Sequence, residues 1–215
     1  GLNTVKNLAL SFAVIEALSV KRVSPQVSVD EFWRHSLCVA VVAKSLAALM
    51  GIPAADREIY FIGGLLHDLG KFPLMMQLPA DYGHVCELVQ TGQEALYRCE
   101  ARCLGFDHGA VGRIVGEKWH LGQPLIDSLS HHHEPAAGSP GSREFITVVA
   151  LANQLALYLK IGNAGDQFID HAAIESLMAS TGLDWKMLGN LKSTATDEIE
   201  RAKYFLEIFQ HVSRN

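Results

Sequence analysis

The feature that most constrains this chain is an apolar run that ends in two ligand-type side chains. Gly63, Gly64, Leu65 and Leu66 lead into His67 and Asp68, and Leu69, Gly70 and Lys71 follow. Neighbouring residues on a helix point about 100° apart, so His67 and Asp68 share a site only if it lies between their two directions. An imidazole beside a carboxylate that can bridge suits a pair of divalent metals, and Lys71 just beyond suits an anion such as phosphate. The same residues also fit the end of a surface helix. Gly70 would then be its C′ residue, with His and Lys favoured near the negative helix end. On this stretch alone both readings stand.

The remaining pattern is helical throughout. Val5, Leu8, Phe12 and Ile15 recur at helical spacing over residues 4–18, and Lys21 to Val27 form a polar break around Pro25. Ser28 or Asp30 caps a long helix to about Met50, closed by Gly51 and Pro53. Ala54 opens the next helix, expected to run to Gly70. A short segment leads to Pro79, and residues 82–104 break near Thr91 and Gly92. Gly105 ends that part and Asp107 caps a helix from His108 to about His120. Pro124 starts a short helix reaching His131, His132 and His133. Residues 135–142 are a Pro/Gly/Ser-rich loop within the domain, residues 143–161 form an apolar helix, and helices continue to about Ser213. No strand pattern and no repeat competes, so the class is all-α.

Composition narrows the function. With 49% apolar and 19% charged residues the chain is globular, and a net charge of −5 gives no electrostatic reason to expect nucleic acid as a partner. No apolar run is expected to span a bilayer, and Lys6 and Glu16 interrupt any signal-peptide pattern. The first residues read as helix interior, which implies helices upstream. Cys99 and Cys103 lie one turn apart, but Glu100, Ala101 and Arg102 between them read as ordinary helix and no second pair completes a site. Cys38, Cys86, Cys99 and Cys103 are therefore expected to be free thiols in a reducing cytoplasm.

Polar residues interrupt the apolar faces at telling places. His35 falls on the stripe of Phe32, Val39, Val42 and Leu46, and His108 on that of Val111 and Val115. Asn153 sits between Ala150 and Leu157. At least one ring of the His131–His133 run should turn inward. Each has a bland explanation as a satisfied core residue. Together they place inward polar groups on four helices, with the His67–Asp68 pair on a fifth, and a shared metal centre is the economical cause. Such imidazole-rich coordination favours iron, manganese, zinc or nickel over magnesium or calcium.

These motifs, in this order, resemble the HD superfamily of metal-dependent phosphohydrolases. Phe32-Trp33-Arg34-His35-Ser36, Gly63 to Lys71, Gly105-Phe106-Asp107-His108 and His132-His133-Glu134-Pro135 look like the HDOD branch. That branch comprises bacterial signalling modules related to HD-GYP cyclic-di-GMP phosphodiesterases. The resemblance runs from about Val5 to Leu159 and more loosely to the end. It implies a single helical bundle over residues 1–215 around a central metal site, with an HD core at about 28–161 and further helices over 162–213. It also implies two ions, iron or manganese being favoured. One would be held by His35, His67, Asp68 and Asn153, the other by Asp68, His108, His132 and His133. Asp68 would bridge them, a water between them would be the nucleophile, and Lys71 would stabilise charge on phosphorus. Glu31, one turn before His35, reads as a first-turn carboxylate favoured by the helix dipole rather than a further ligand.

Two departures bear on activity. Active relatives carry aspartate where Asn153 stands, and the GYP segment is replaced by Pro135-Ala136-Ala137-Gly138. The favoured expectation is a signalling module with a retained metal site, acting through a protein partner or a phosphate-containing ligand. A phosphohydrolase acting on a nucleotide or phosphodiester is the alternative, and a di-iron oxygenase a weaker one.

Overall fold

The computed structural model describes residues 28–91, 94–189 and six positions between 191 and 200. Among these residues it is all helix and turn, with nine α-helices and no strand. The helix expected over 4–18, the break at Lys21 to Val27 and the helices beyond residue 200 lie outside the described residues.

Helix α1, Val29–Leu49, is the axis of the bundle. Ser28 enters it in extended backbone, Asp30 and Glu31 complement the dipole in its first turn, and Gly51 leaves it at φ 79°. Phe32, His35, Val39, Val42 and Leu46 are all buried, as their spacing requires. Full burial of each large apolar side chain is worth about 1.5–3 kcal/mol. The expectation that nothing here is long enough to cross a bilayer needs correcting. This helix meets the length, with a mean hydropathy of 1.2, but 72% of its most apolar window is buried inside the fold. Its apolar character is therefore accounted for by packing against protein.

Helix α2, Glu58–Leu66, and helix α8, Arg143–Leu159, both pack on α1. Gly64 is what lets α2 approach so closely. A Cβ there would lie 2.7 Å from the Ala40 backbone N and Cα and 2.8 Å from the Val39 carbonyl carbon. Helix α2 stops earlier than the sequence pattern suggests. It ends at Leu66, residues 67–70 form a turn, and α3, Lys71–Gln77, begins at once. Gly70 is therefore no left-handed C′ residue; its φ is −63°. Its missing side chain serves a different purpose, since a Cβ would collide with the His108 carbonyl oxygen and the Gly112 amide. The chain is pressed against the helix that carries His108.

Helices α4, Pro79–Thr91, and α5, Leu96–Leu104, form a side pair over Val85, Val89, Leu96 and Cys99. Gly105 closes α5 at φ 82°. Asp107 caps α6, His108–Lys118, by accepting from the Ala110 amide at 2.8 Å. Helix α7, Gln123–His131, packs on α6, and two short 3₁₀ turns, Pro135–Ala137 and Pro140–Ser142, cross to α8. Beyond α8 a turn-rich loop returns to the start of α1, where the Asn163 amide donates to the Glu31 carbonyl at 3.0 Å. The buried Asp166 carboxylate ties the same loop to α5 through the Leu96 amide, 3.3 Å away. Helix α9, His171–Thr181, then packs on α8. The four cysteines are free thiols, with Cys103 alone exposed.

Candidate metal centre

Four elements bring their polar residues to one point in the core. His35 comes from the second turn of α1, and His67 and Asp68 from the turn after α2. His108 opens α6, while His132 and His133 follow α7. His67 is wholly buried, and Asp68, His108, His35 and His132 are at most 2% exposed. Their ligand atoms form two clusters, His35–His67–Asp68 and His108–His132–His133, each with its atoms within 4.8 Å of one another.

Asp68 stands between the clusters. Its Oδ1 lies 3.3 Å from His108 Nε2 and 3.6 Å from His132 Nε2. Its Oδ2 lies 3.3 Å from His67 Nε2 and 3.8 Å from His35 Nε2. Asn153 is buried on α8 beside the His35 ring. Lys71 donates from Nζ to Asp68 Oδ2 at 2.7 Å and to the Ala164 carbonyl at 3.1 Å, and it is 2% exposed. Glu31 points elsewhere and pairs with Arg34 at 3.5 Å. His131, first of the three consecutive histidines, belongs to neither cluster.

The hydrogen-bond pattern tests whether these residues fit a cation. His67 Nδ1 lies 2.7 Å from the Gly64 carbonyl and His132 Nδ1 lies 3.0 Å from the Ser128 carbonyl. A carbonyl only accepts, so each ring carries its proton on Nδ1 and turns an Nε2 lone pair inward. For His67 that lone pair faces a carboxylate oxygen. It has no hydrogen-bond partner, and neither does Asp68 Oδ1, although both atoms are buried. His108 Nε2 lies 3.3 Å from His132 Nε2 and 3.0 Å from His133 Nε2. The unpartnered His67 Nε2 and Asp68 Oδ1 are acceptors out of water, and a positive centre beside them would satisfy both. A divalent transition ion at each cluster suits these imidazole and carboxylate donors.

The charge states agree. Burial pushes the His35 imidazole down to about 3 and that of His132 to about 4, and it holds His133 well below its usual range. Burial alone would raise the Asp68 carboxyl, but His67 and Lys71 outweigh it and hold Asp68 well below the ordinary carboxylate range. Neutral rings and an ionised carboxylate are the forms that bind metal.

One carboxylate escaped the sequence reading. Glu100, expected to be ordinary helix, is 0% exposed, and its Oε2 sits 2.6 Å from His108 Nδ1 and accepts from the His108 amide at 2.8 Å. Tyr82 donates its hydroxyl to Glu100 Oε1 at 2.8 Å. Burial opposes the charges on this pair, but each partner counters it: the Glu100 carboxyl is drawn below its ordinary range and the His108 imidazole raised above its own. Leu96 and Cys99, both buried, frame position 100 on the inner face of α5, which was the available signal. Tyr97 was missed too; its ring stacks on His133 with centroids 4.2 Å apart and planes 11° apart. Beside them opens a cavity of about 200 Å³, lined by Tyr97, Arg98, His132, His133, Gln154 and Phe168 among others.

Histidines from several helices gathered around a central His–Asp pair define an HD-type helical domain. Within that class the chain belongs to the HDOD domain family, which matches residues 1–135. Its fold is shared with an HDOD domain protein of unknown function from Geobacter sulfurreducens. That match has a TM-score of 0.75 at 22% identity and covers 93% of this chain and 70% of the other. A protein from Shewanella amazonensis SB2B, provisionally named a phosphohydrolase, matches with a TM-score of 0.69 at 21% identity, over 94% of this chain and 72% of the other. In sequence, the 3'-5' exoribonuclease YhaM of Halalkalibacterium halodurans is 35% identical over 106 residues, 49% of this chain and 30% of that protein. The chain spans 30% or less of the length of the curated relatives it matches.

Proposed function

We propose that this chain is a signal-transduction HDOD module whose two-metal centre is retained but performs little or no hydrolysis. Asp68 is the bridging ligand, His35, His67 and Asn153 complete one position, and His108, His132 and His133 complete the other. Iron or manganese suits this donor set best, with zinc or nickel next. When bound, such ions supply Lewis acidity and a water of lowered pKa, which is the equipment of phosphoester hydrolysis.

The observation that carries the inactive reading is the commitment of Lys71. Its ammonium is buried and shared between Asp68 and the Ala164 carbonyl, so it answers an internal charge and is held away from any phosphate. Asn153 supports the same reading, because a neutral amide brings no charge to the position where active relatives use aspartate. The module would work in the reducing cytoplasm that its free thiols suit, and its output would pass to a signalling protein or follow a phosphate-containing ligand.

The cavity favours a second reading, a working phosphodiesterase. It reaches His132 and His133 from outside, with the exposed guanidinium of Arg98 at its wall. The exoribonuclease relative makes a phosphodiester the natural substrate class for that case. Hydrolysis of an aryl phosphodiester and of cyclic dinucleotides, in manganese and in ferrous iron, separates the two readings. The proposal expects no turnover by the wild type, and none from Asn153→Asp despite tighter metal binding. Turnover by the wild type establishes the phosphodiesterase instead.

A further inference from the structure

We infer that Glu100 is a positioning residue that makes the His108–His132–His133 cluster the tighter of the two metal positions. The inference rests on the reading of the site as a metal centre. It follows from how differently the two clusters are supported.

Glu100 is wholly buried, and both of its oxygens are committed: Oε2 to the His108 amide and ring, Oε1 to the Tyr82 hydroxyl. A ring that gives its Nδ1 proton to a carboxylate is fixed in tautomer and orientation, and its Nε2 becomes a stronger donor to metal. Among the described residues His108 alone in the centre has this support. His67 and His132 give theirs to neutral carbonyls, and His35 Nδ1 has no partner. Glu100 thus lends a full negative charge to a cluster that has only imidazoles of its own, and Asp68 Oδ1 stands beside it.

The other cluster is weakened twice. The Asp68 oxygen that faces it, Oδ2, is held 2.7 Å from the Lys71 ammonium, which competes with a cation for the same lone pairs. The further donor on offer, Asn153, is neutral. The two positions are therefore unequal, and the imbalance comes from residues outside the ligand set.

Cobalt(II) titration followed by visible absorption, in competition with a chromophoric chelator, tests this on the whole chain. The wild type should fill in two steps. Glu100→Gln keeps the side-chain shape and its acceptor toward His108 but removes the charge. It should weaken the first step roughly 10- to 100-fold and shift its absorption band, leaving the second step unchanged. Tyr82→Phe, which leaves the charge in place, should weaken it less. His133→Ala should abolish the first step, whereas His35→Ala should spare it, and this pair decides the matter even if Glu100→Gln fails to fold. Metal binding by Glu100→Gln equal to wild type, or loss of the first step in His35→Ala, overturns the inference alone. Absence of cobalt binding by the wild type overturns the metal-centre reading with it.

Discussion

Asp68 divides its two oxygens between the clusters, so its substitution should reach both. Asp68→Ala is expected to remove the ion beside His35 and His67 and to weaken the other at least roughly 10-fold, as losing a carboxylate from a metal's surroundings typically does. Equilibrium dialysis against manganese checks this, and unchanged binding would contradict the bridging role. The histidines make a prediction about acid. In the metal-free chain His35 and His132 protonate only near pH 3 and 4, whereas in the unfolded chain they do so near 6.5. Between those values the unfolded state binds more protons, so stability rises with pH. It should be full above about 6.5 and fall steadily as pH drops toward 3. His108, with its raised pKa, acts in the opposite sense: its contribution is present below its ordinary value and is lost as pH rises through the raised one. Urea unfolding of chelator-treated protein between pH 4 and 7 reads the balance, and a midpoint independent of pH would contradict neutral, buried rings.

The close approach of the turn after α2 to helix α6 fixes the distance between the clusters. Gly70→Ala would put a methyl group against the His108 carbonyl, with backbone on both sides that cannot yield cheaply. Overpacking of this kind costs typically 1–3 kcal/mol. It should also weaken metal binding by moving His108 away from Asp68. A thermal melt and a metal titration test the two effects, and an unchanged pair would show that the contact is not tight. Gly70 also shows where a sequence stops being informative. Its helix-ending composition was legible, but a glycine required by a neighbouring helix looks the same as one required by a turn. The long helices were legible because their apolar residues recur at 3.6 spacing between recognisable ends, Ser28 and Gly51 for α1 and Asp107 for α6. His35, His108 and Asn153 were legible as polar interruptions of those stripes. Glu100 was not, because a glutamate within a short polar helix has an exposed alternative that costs nothing. Leu96, one turn before it, and Cys99 hint at the inner face, and the packing of α5 against α6 decides it. The length of α1 was legible but its apolar character was under-read, and a core helix and a membrane helix share composition and differ only in what surrounds them.

At the scale of the whole molecule the centre ties the packed pair α1 and α2 to the packed pair α6 and α7. Helices α1, α6 and α7 and the turn after α2 all end their polar side chains at one point, and Lys71 extends the connection to the loop before α9 through Ala164. Metal that binds only the folded chain adds stability by mass action, about 2.7 kcal/mol at a hundredfold excess over Kd. A chelator should therefore lower the melting temperature, and re-addition of manganese should restore it. An identical melt after demonstrated metal removal would deny the centre a structural role. The most direct test is simpler still: elemental analysis of protein purified without added metal, beside a His67→Ala/His132→Ala variant that removes one ligand from each cluster. The account predicts iron, manganese, zinc or nickel at about one equivalent or more in the wild type and a background level in the variant. The same low content in both would contradict it.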